Sequence, residues 1–411
     1  MEIRFAMNLL LKKRFPRFLK RTKNKPSMKE AERFAKMQHI KYVNLVNAKS
    51  CKGEGSKIRT FDGETLNPIS DEHFSPFIAN TPLLQDWPKF ARDQGFRFKA
   101  AENFWPQIRR LRIHLERKQW ALFDKQFRKL ELNLPISSEA ERVKATFKAT
   151  ELIAAFFTPF TDAVKKLIQD RIALADSASP TLTDALVKFF QAKQKDSSVI
   201  HELSTIRERW SGLYAAVAPI YTCLYWDDKK HTLDDFTLAQ KRFEELKPFY
   251  VDCFETFCRI SVIAAGIEGI IVSKAVGVPA AKRLIPIDEF DIMKNGIKPD
   301  VLKSLTIGDV FVPYIDHNLR NGCGHHSAHY DASNDSIRYV TENPKALKNH
   351  QMSYIRFCEK VVRLYAQLEV VSLYAHWLRQ RVLGVPSSCV YPGKASDISP
   401  VPLHEKKAAA P

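Results

Sequence analysis

The sequence predicts a mainly α protein, on three observations. Apolar residues recur at three- and four-residue spacing over long stretches of the second half, the signature of helices with one buried face. Hydrophobic residues make up 45% of the 411 and aromatics 11%, enough for a sizeable core. Fourteen glycines and 22 prolines exclude collagen-like and low-complexity chains. At roughly 150 residues per domain the length suits two or three domains.

The chain begins with a basic arm over residues 1–50, where 14 Lys/Arg face three acids. Residues 51–103 read as irregular, with Pro68, Pro76, Pro82, Pro88 and several turn signals. Residues 104–132 read as one amphipathic helix. Phe104, Ile108, Leu111, Leu115, Leu122 and Phe127 fall on one side, and Arg109, Arg110, Arg112, Arg117 and Lys118 belong to the other. Residues 51–138 thus form a second, basic region. The helical domain is expected over 139–390, with a flexible tail at 391–411.

Within that domain, residues 139–176 form one candidate helix. A Ser/Pro break at 177–180 precedes a shorter helix to about 193. Ile200, Leu203, Ile206, Trp210, Leu213, Val217, Ile220 and Leu224 mark a strong helix over 199–226. Thr232 with Asp235 is a weak capping box for a helix running to about 272, with a kink expected at Pro248. Residues 273–310 read as a long connection, and such insertions often pack over a site. A helix over about 309–321 follows, then a hairpin of His329–Asp331 and Ile337–Val340 around Asn334-Asp335. The last helix spans 351–383, with Tyr354, Phe357, Val361, Leu364, Leu368, Val371 and Ala375 as its stripe.

The net charge of +18 is concentrated at one end. Residues 1–150 hold 32 Lys/Arg and 16 Asp/Glu, whereas residues 151–411 hold 32 and 30. This asymmetry points to a polyanion partner, nucleic acid or an anionic membrane surface, or to a solvated basic tail. The five cations from Arg109 to Lys118 are the candidate phosphate contacts. Seven cysteines without a Cys-x-x-Cys pair fit reduced, buried thiols in a cytoplasmic protein. No apolar run reaches the ~20 residues of a membrane span. Ile260–Val272 is too short and carries Glu268, so it reads as a buried core helix. At the N-terminus the cations mostly follow the apolar patch Met7–Leu11, unlike a secretory signal. A transit peptide or membrane-surface helix stays open there.

The stretch with the densest chemistry is Leu319-Arg320-Asn321-Gly322-Cys323-Gly324-His325-His326-Ser327-Ala328-His329. Five residues of straight helix turn through roughly 500°, so Arg320 and His325 would leave it on different sides. Gly322 and Gly324 are expected to break the helix and let the two side chains converge. No P-loop, Rossmann glycine signature, nucleophile elbow or His-Glu-x-x-His occurs, which argues against those enzyme classes.

Arg320-Asn321-x-x-x-His325 resembles the motif of the HEPN superfamily, Arg followed by four to six residues and His, often with Asn after the Arg. The setting is similar too: an apolar helix before the motif (Val310, Phe311, Tyr314, Ile315, Leu319), a short hairpin after it, then a long amphipathic helix. The resemblance covers roughly residues 200–385 and implies a four- or five-helix bundle. It further implies a metal-independent endoribonuclease without cofactors, often a homodimer whose two motifs meet in one cleft. Many relatives serve toxin–antitoxin, abortive-infection or CRISPR-type defence, with a protein inhibitor or antitoxin as partner, and some are inert binding modules. On this reading RNA is the substrate, Arg320 binds phosphate, His325 transfers protons and Asn321 orients one of them.

Plainer roles stand beside these. Arg320 suits a helix C-terminus, where the dipole favours a cation. His325, His326 and His329 suit a surface turn, with His326 and His329 as accessory RNA contacts otherwise. The spacing His325-His326-x-x-His329 also raises a three-imidazole zinc site, unsupported by carboxylates or cysteines nearby. Cys323 is either a reactive or a buried thiol.

Overall fold

The computed structural model describes residues 104–385 apart from 131, 133, 159–161, 226–232, 234–237, 239–241, 281–282, 306–307, 309–314 and 344–345, together with 58–59, 65–66 and 97. The basic arm, the tail, the Thr232/Asp235 pair and Val310, Phe311 and Tyr314 lie outside the described residues. The chain divides into two compact units, Met1–Asp86 and Trp87–Pro411. In the first, β1 (Ile58–Arg59) and β2 (Thr65–Leu66) pair antiparallel.

The second unit is mostly helical. Its helices are α1 (Trp105–Glu116), α2 (Trp120–Arg128), α3 (Glu139–Ala155), α4 (Asp162–Ala178), α5 (Pro180–Ala192), α6 (Lys195–Tyr225) and α7 (Phe243–Ser273). The connection to the motif folds into β3 (Gly277–Pro279), β4 (Leu284–Pro286), α8 (Ile287–Ile292) and α9 (Lys298–Leu302). The chain ends with α10 (His317–Gly324), the strands β5 (His329–Asp331), β6 (Ser336–Asn343) and β7 (Ala346–Ser353), and α11 (Tyr354–Val382).

Helices α7 and α11 pack on each other as a common centre, and α4 and α6 each pack on both. The predicted stripes of α6 and α11 are buried as expected: Trp210, Val217 and Ile220 on α6, and Phe357, Leu364 and Leu368 on α11, are fully covered. Trp210 stacks on Tyr365 with centroids 4.1 Å apart. Helix α7 is buried on nearly every side from Cys253 to Ile270. By length and composition it is apolar enough to cross a membrane, but 78% of its most apolar window lies inside the protein. Within it, Glu268 is fully buried and accepts from Arg171 at 2.7 Å.

Several expected boundaries shift. The region 104–132 is two helices, because Lys118 takes a left-handed φ of 52° and the chain turns at Arg117–Gln119. The turn resets the helical phase, so Phe123 is buried while Leu122 is 48% exposed. No glycine or proline announces that break. Trp105, Leu111, Phe123 and Phe127 join the same core as α6 and α11, so the helical unit starts ahead of residue 139. The candidate helix 139–176 is likewise α3 and α4. Helix α3 is started by a capping box in which Ser138 Oγ accepts from the Glu141 N–H at 3.2 Å and Glu141 accepts from the Ser138 N–H at 3.0 Å. The expected hairpin forms, with His329 opposite Arg338 and Tyr330 opposite Ile337. A third strand, β7, then pairs along the whole of β6 and delays the last helix to Tyr354.

Candidate functional site

Helix α10 packs on α7 and under β6. Asp316 caps it: Oδ1 accepts the Leu319 N–H at 3.0 Å, while Oδ2 accepts from Lys360 at 3.0 Å. Burial works against the Asp316 carboxylate, but these two partners outweigh it and hold its pKa below the ordinary value.

The glycines do not act as expected. Helical hydrogen bonding continues through Gly322 and Gly324 to the His325 N–H, which donates to Asn321 O at 2.8 Å. Gly322 is there for space: a Cβ would lie 2.7 Å from the Tyr339 ring. The helix ends one residue later, where His326 takes a left-handed φ of 58°. The Ser327 N–H then donates back to Gly322 O at 3.0 Å, a Schellman-type closure with histidine in the place usually given to glycine. Ser327 Oγ donates to Val340 O at 2.9 Å and ties the turn to β6.

Arg320 and His325 therefore leave one continuous helix ~140° apart. Arg320 turns toward α7. Its Nε donates to Glu255 Oε1 at 2.7 Å, its Nη2 donates to the same oxygen, and its Nη1 donates to Asn321 Oδ1 at 3.1 Å. A guanidinium has five N–H groups, so two have no partner among the described residues, on a side chain still 28% exposed. His325, His326 and His329 are exposed and have no side-chain partner among the described residues. His329 lines a shallow cleft of about 370 Å³ with Arg242, Phe243, Glu244, Glu245 and Tyr330; neither Arg320 nor His325 takes part. Among the described residues no three His, Cys, Asp or Glu side chains converge as metal ligands, so the histidine spacing does not form a three-imidazole site here. Cys323 is buried, and burial pushes its thiol up to about 12, the opposite of a reactive thiolate.

Glu255 is the centre of a network that sequence reading missed. Its second oxygen, Oε2, accepts from Asn295 Nδ2. Asn295 Oδ1 accepts from Lys298 Nζ at 2.9 Å, and Lys298 also donates to Asp291 O at 3.0 Å. Lys193 and Lys195 share the Asp291 carboxylate, and Arg259 donates to Glu202 at 2.8 Å. Burial first, then repulsion from Lys298, Lys193 and Arg259, lowers Lys195 to about 8. These residues come from the α5–α6 junction, α6, α7, α8, the 293–297 loop and the start of α9. Only the fold unites them. The one local sign was Glu255 and Arg259, one turn apart on the same face of α7.

The basic face of α1 is less uniform than its sequence suggests. Arg110 and Arg117 are exposed. Arg109 pairs with Glu208, and Lys118 with Glu139 at 3.4 Å, both at the surface. Arg112 points inward: it is 7% exposed and donates to Ile200 O at 3.1 Å and to Ser204 Oγ, so it offers nothing to an external phosphate.

Comparison of the chain with protein-family models, with curated proteins and with solved structures finds no significant match.

Proposed function

We propose that the C-terminal end of α10 is the centre of a HEPN-like, metal-independent endoribonuclease acting as a cytoplasmic homodimer. One observation carries this reading. Arg320 is fixed along one guanidinium edge by Glu255 and braced by Asn321, and at the end of the same short helix His325 is exposed; among the described residues two Arg320 N–H groups and the His325 ring have no partner.

The chemistry needs no outside nucleophile. The ribose 2′-OH attacks the adjacent phosphorus and the bond to the 5′-oxygen breaks, leaving a 2′,3′-cyclic phosphate and a 5′-hydroxyl. Imidazole titrates near neutral pH, so His325 takes the 2′-OH proton or returns one to the leaving oxygen. The open edge of Arg320 binds the phosphate and stabilises its developing charge. Because the two side chains diverge on one helix, two copies must share a cleft for Arg320 and His325 to meet one phosphate. Arg110 and Arg117, with the basic first third, add sequence-independent affinity that falls steeply with salt. A defence role with a protein inhibitor or antitoxin belongs to this proposal.

The test is RNA cleavage in EDTA by wild type, Arg320→Ala and His325→Ala, with product ends mapped. Each variant is expected to lose a hundredfold or more. Mixing the two inactive variants is expected to restore part of the activity through mixed dimers. Cutting abolished by EDTA overturns the mechanism. The ~140° divergence and the prior claim of Glu255 on Arg320 favour a second reading, a non-catalytic RNA- or protein-binding module. A folded wild type that binds RNA but never cuts it would establish that one.

A further inference from the structure

The interior between α1, α3, α6 and α11 holds ionic groups that the proposed function does not use. Arg207 of α6 is 2% exposed and donates to Glu369 of α11 through Nε at 2.9 Å and through Nη2 at 2.5 Å. Trp105 of α1 lies over its guanidinium, 5.0 Å from Cζ to the ring centroid. Arg112 of α1 is close enough to repel it electrostatically. Glu151 of α3 and His376 of α11 complete the group, with His376 Nδ1 and Glu151 Oε1 3.8 Å apart.

Two features of this cluster are unusual. The first is the set of unmatched donors. Arg112 Nε and Nη2, Arg207 Nη1 and Trp105 Nε1 are buried with no hydrogen-bond partner among the described residues. Together they carry six N–H groups, and buried donors left unpaired are rare and costly. The second is charge. Among the described residues Arg112 bonds neutral oxygens alone, those of Ile200 and Ser204. Glu369 answers Arg207, and neither arginine bonds the Glu151 carboxyl. Burial pushes that carboxyl toward its neutral form, and Glu369 and Glu116 act on Arg112 only through space, so the two guanidiniums share one bonded carboxylate, that of Glu369. Water can accept from the open N–H groups but cannot neutralise a buried guanidinium.

We infer that Arg112, Arg207 and Trp105 form a buried site for a small inorganic monoanion of the halide class, which fastens α1 to α6 and α11. A spherical monoanion accepts from several N–H groups at once and supplies the missing negative charge. The site does not involve Arg320 or His325, so it stands whether or not the protein cleaves RNA.

Bromide replaces chloride in such a site and scatters anomalously. Crystals of the full chain grown in sodium bromide are expected to show an anomalous peak within hydrogen-bonding reach of Arg112 Nη2 and Arg207 Nη1. In solution, raising chloride from 10 to 300 mM in place of gluconate, at constant ionic strength, is expected to raise Tm by roughly 2–4 °C and then saturate. Arg112→Met keeps the side-chain bulk and is expected to abolish the response. Trp105→Phe, which keeps the ring but removes a donor, is expected to weaken it. Ordered water without an anomalous peak at these donors overturns the proposal. So does a chloride response that survives in Arg112→Met, or a Tm that follows ionic strength alone.

Discussion

Arg207 and Arg320 make the same bond in two different solvents. Both donate to a glutamate through Nε and Nη2. The first pair is 2% and 1% exposed, whereas the second is 28% and 19% exposed and continues through Asn295 and Lys298 to Asp291. In the first, neither ion can return to water if its partner goes. In the second, water takes over at once. The pair at the core therefore governs folding, and the pair at the edge is free to serve a ligand. Charge-neutral, shape-keeping substitutions should separate the two. Arg207→Met leaves the Glu369 charge buried and is expected to cost about 3–5 kcal/mol in urea denaturation. Glu255→Gln is expected to cost under ~1 kcal/mol while it loosens Arg320 and lowers RNA cleavage. Equal losses of stability would erase the distinction between the two networks.

The comparison sharpens with pH, because only the core group holds a carboxyl far from its ordinary range. Burial pushes Glu151 up from 4.5 to about 8, with Lys148 and Arg207 pulling the other way. It also holds His376 well below 6.5, helped by Arg207 and Arg112. The folded chain keeps the Glu151 proton that the unfolded chain releases above about 4.5. Stability from this group is complete below the unfolded value and lost as pH rises through the folded one. His376 works in the opposite direction, since the unfolded imidazole gains a proton below 6.5 that the folded one refuses. Between pH 6.5 and 8 the glutamate dominates the core group, and Lys195 of the edge network, lowered to about 8, starts to lose its proton only at the top of that interval. Over that interval Glu151→Gln is expected to remove a loss of about 2 kcal/mol seen in wild type. An identical pH slope in both proteins would mean that Glu151 is ionised in the fold.

Helical periodicity made the core legible in advance. Trp210, Val217, Phe357 and Leu364 were placed by spacing alone, because a buried helix face repeats in the sequence. The hairpin was legible from Asn334-Asp335 between alternating strands. Two features left no such mark. The break at Lys118 is made by a residue with no turn preference, held left-handed where the Gln119 N–H closes the helix end onto His114 O at 2.8 Å. The network around Glu255 draws on residues from 193 to 320, and no local pattern carries contacts of that span. Gly322 is ambiguous for another reason. In sequence, a glycine that permits a turn and a glycine that permits close approach look alike, and here the Tyr339 ring decides for the second.

The smallest expected effect lies at the end of α10. The left-handed closing residue is His326, not Gly322 or Gly324, and a side chain in that conformation costs about 1 kcal/mol relative to glycine. His326→Gly should therefore stabilise the protein by roughly 0.5–1 kcal/mol. The side chain has no partner among the described residues, so no contact is lost to offset the gain. The same variant asks whether His326 belongs to the site. A stabilised protein with unchanged RNA affinity and cleavage would make it a turn residue held in strain. A stabilised protein with weaker RNA binding would make that strain the means by which an imidazole is presented beside His325, and would draw the edge network one residue further along the chain.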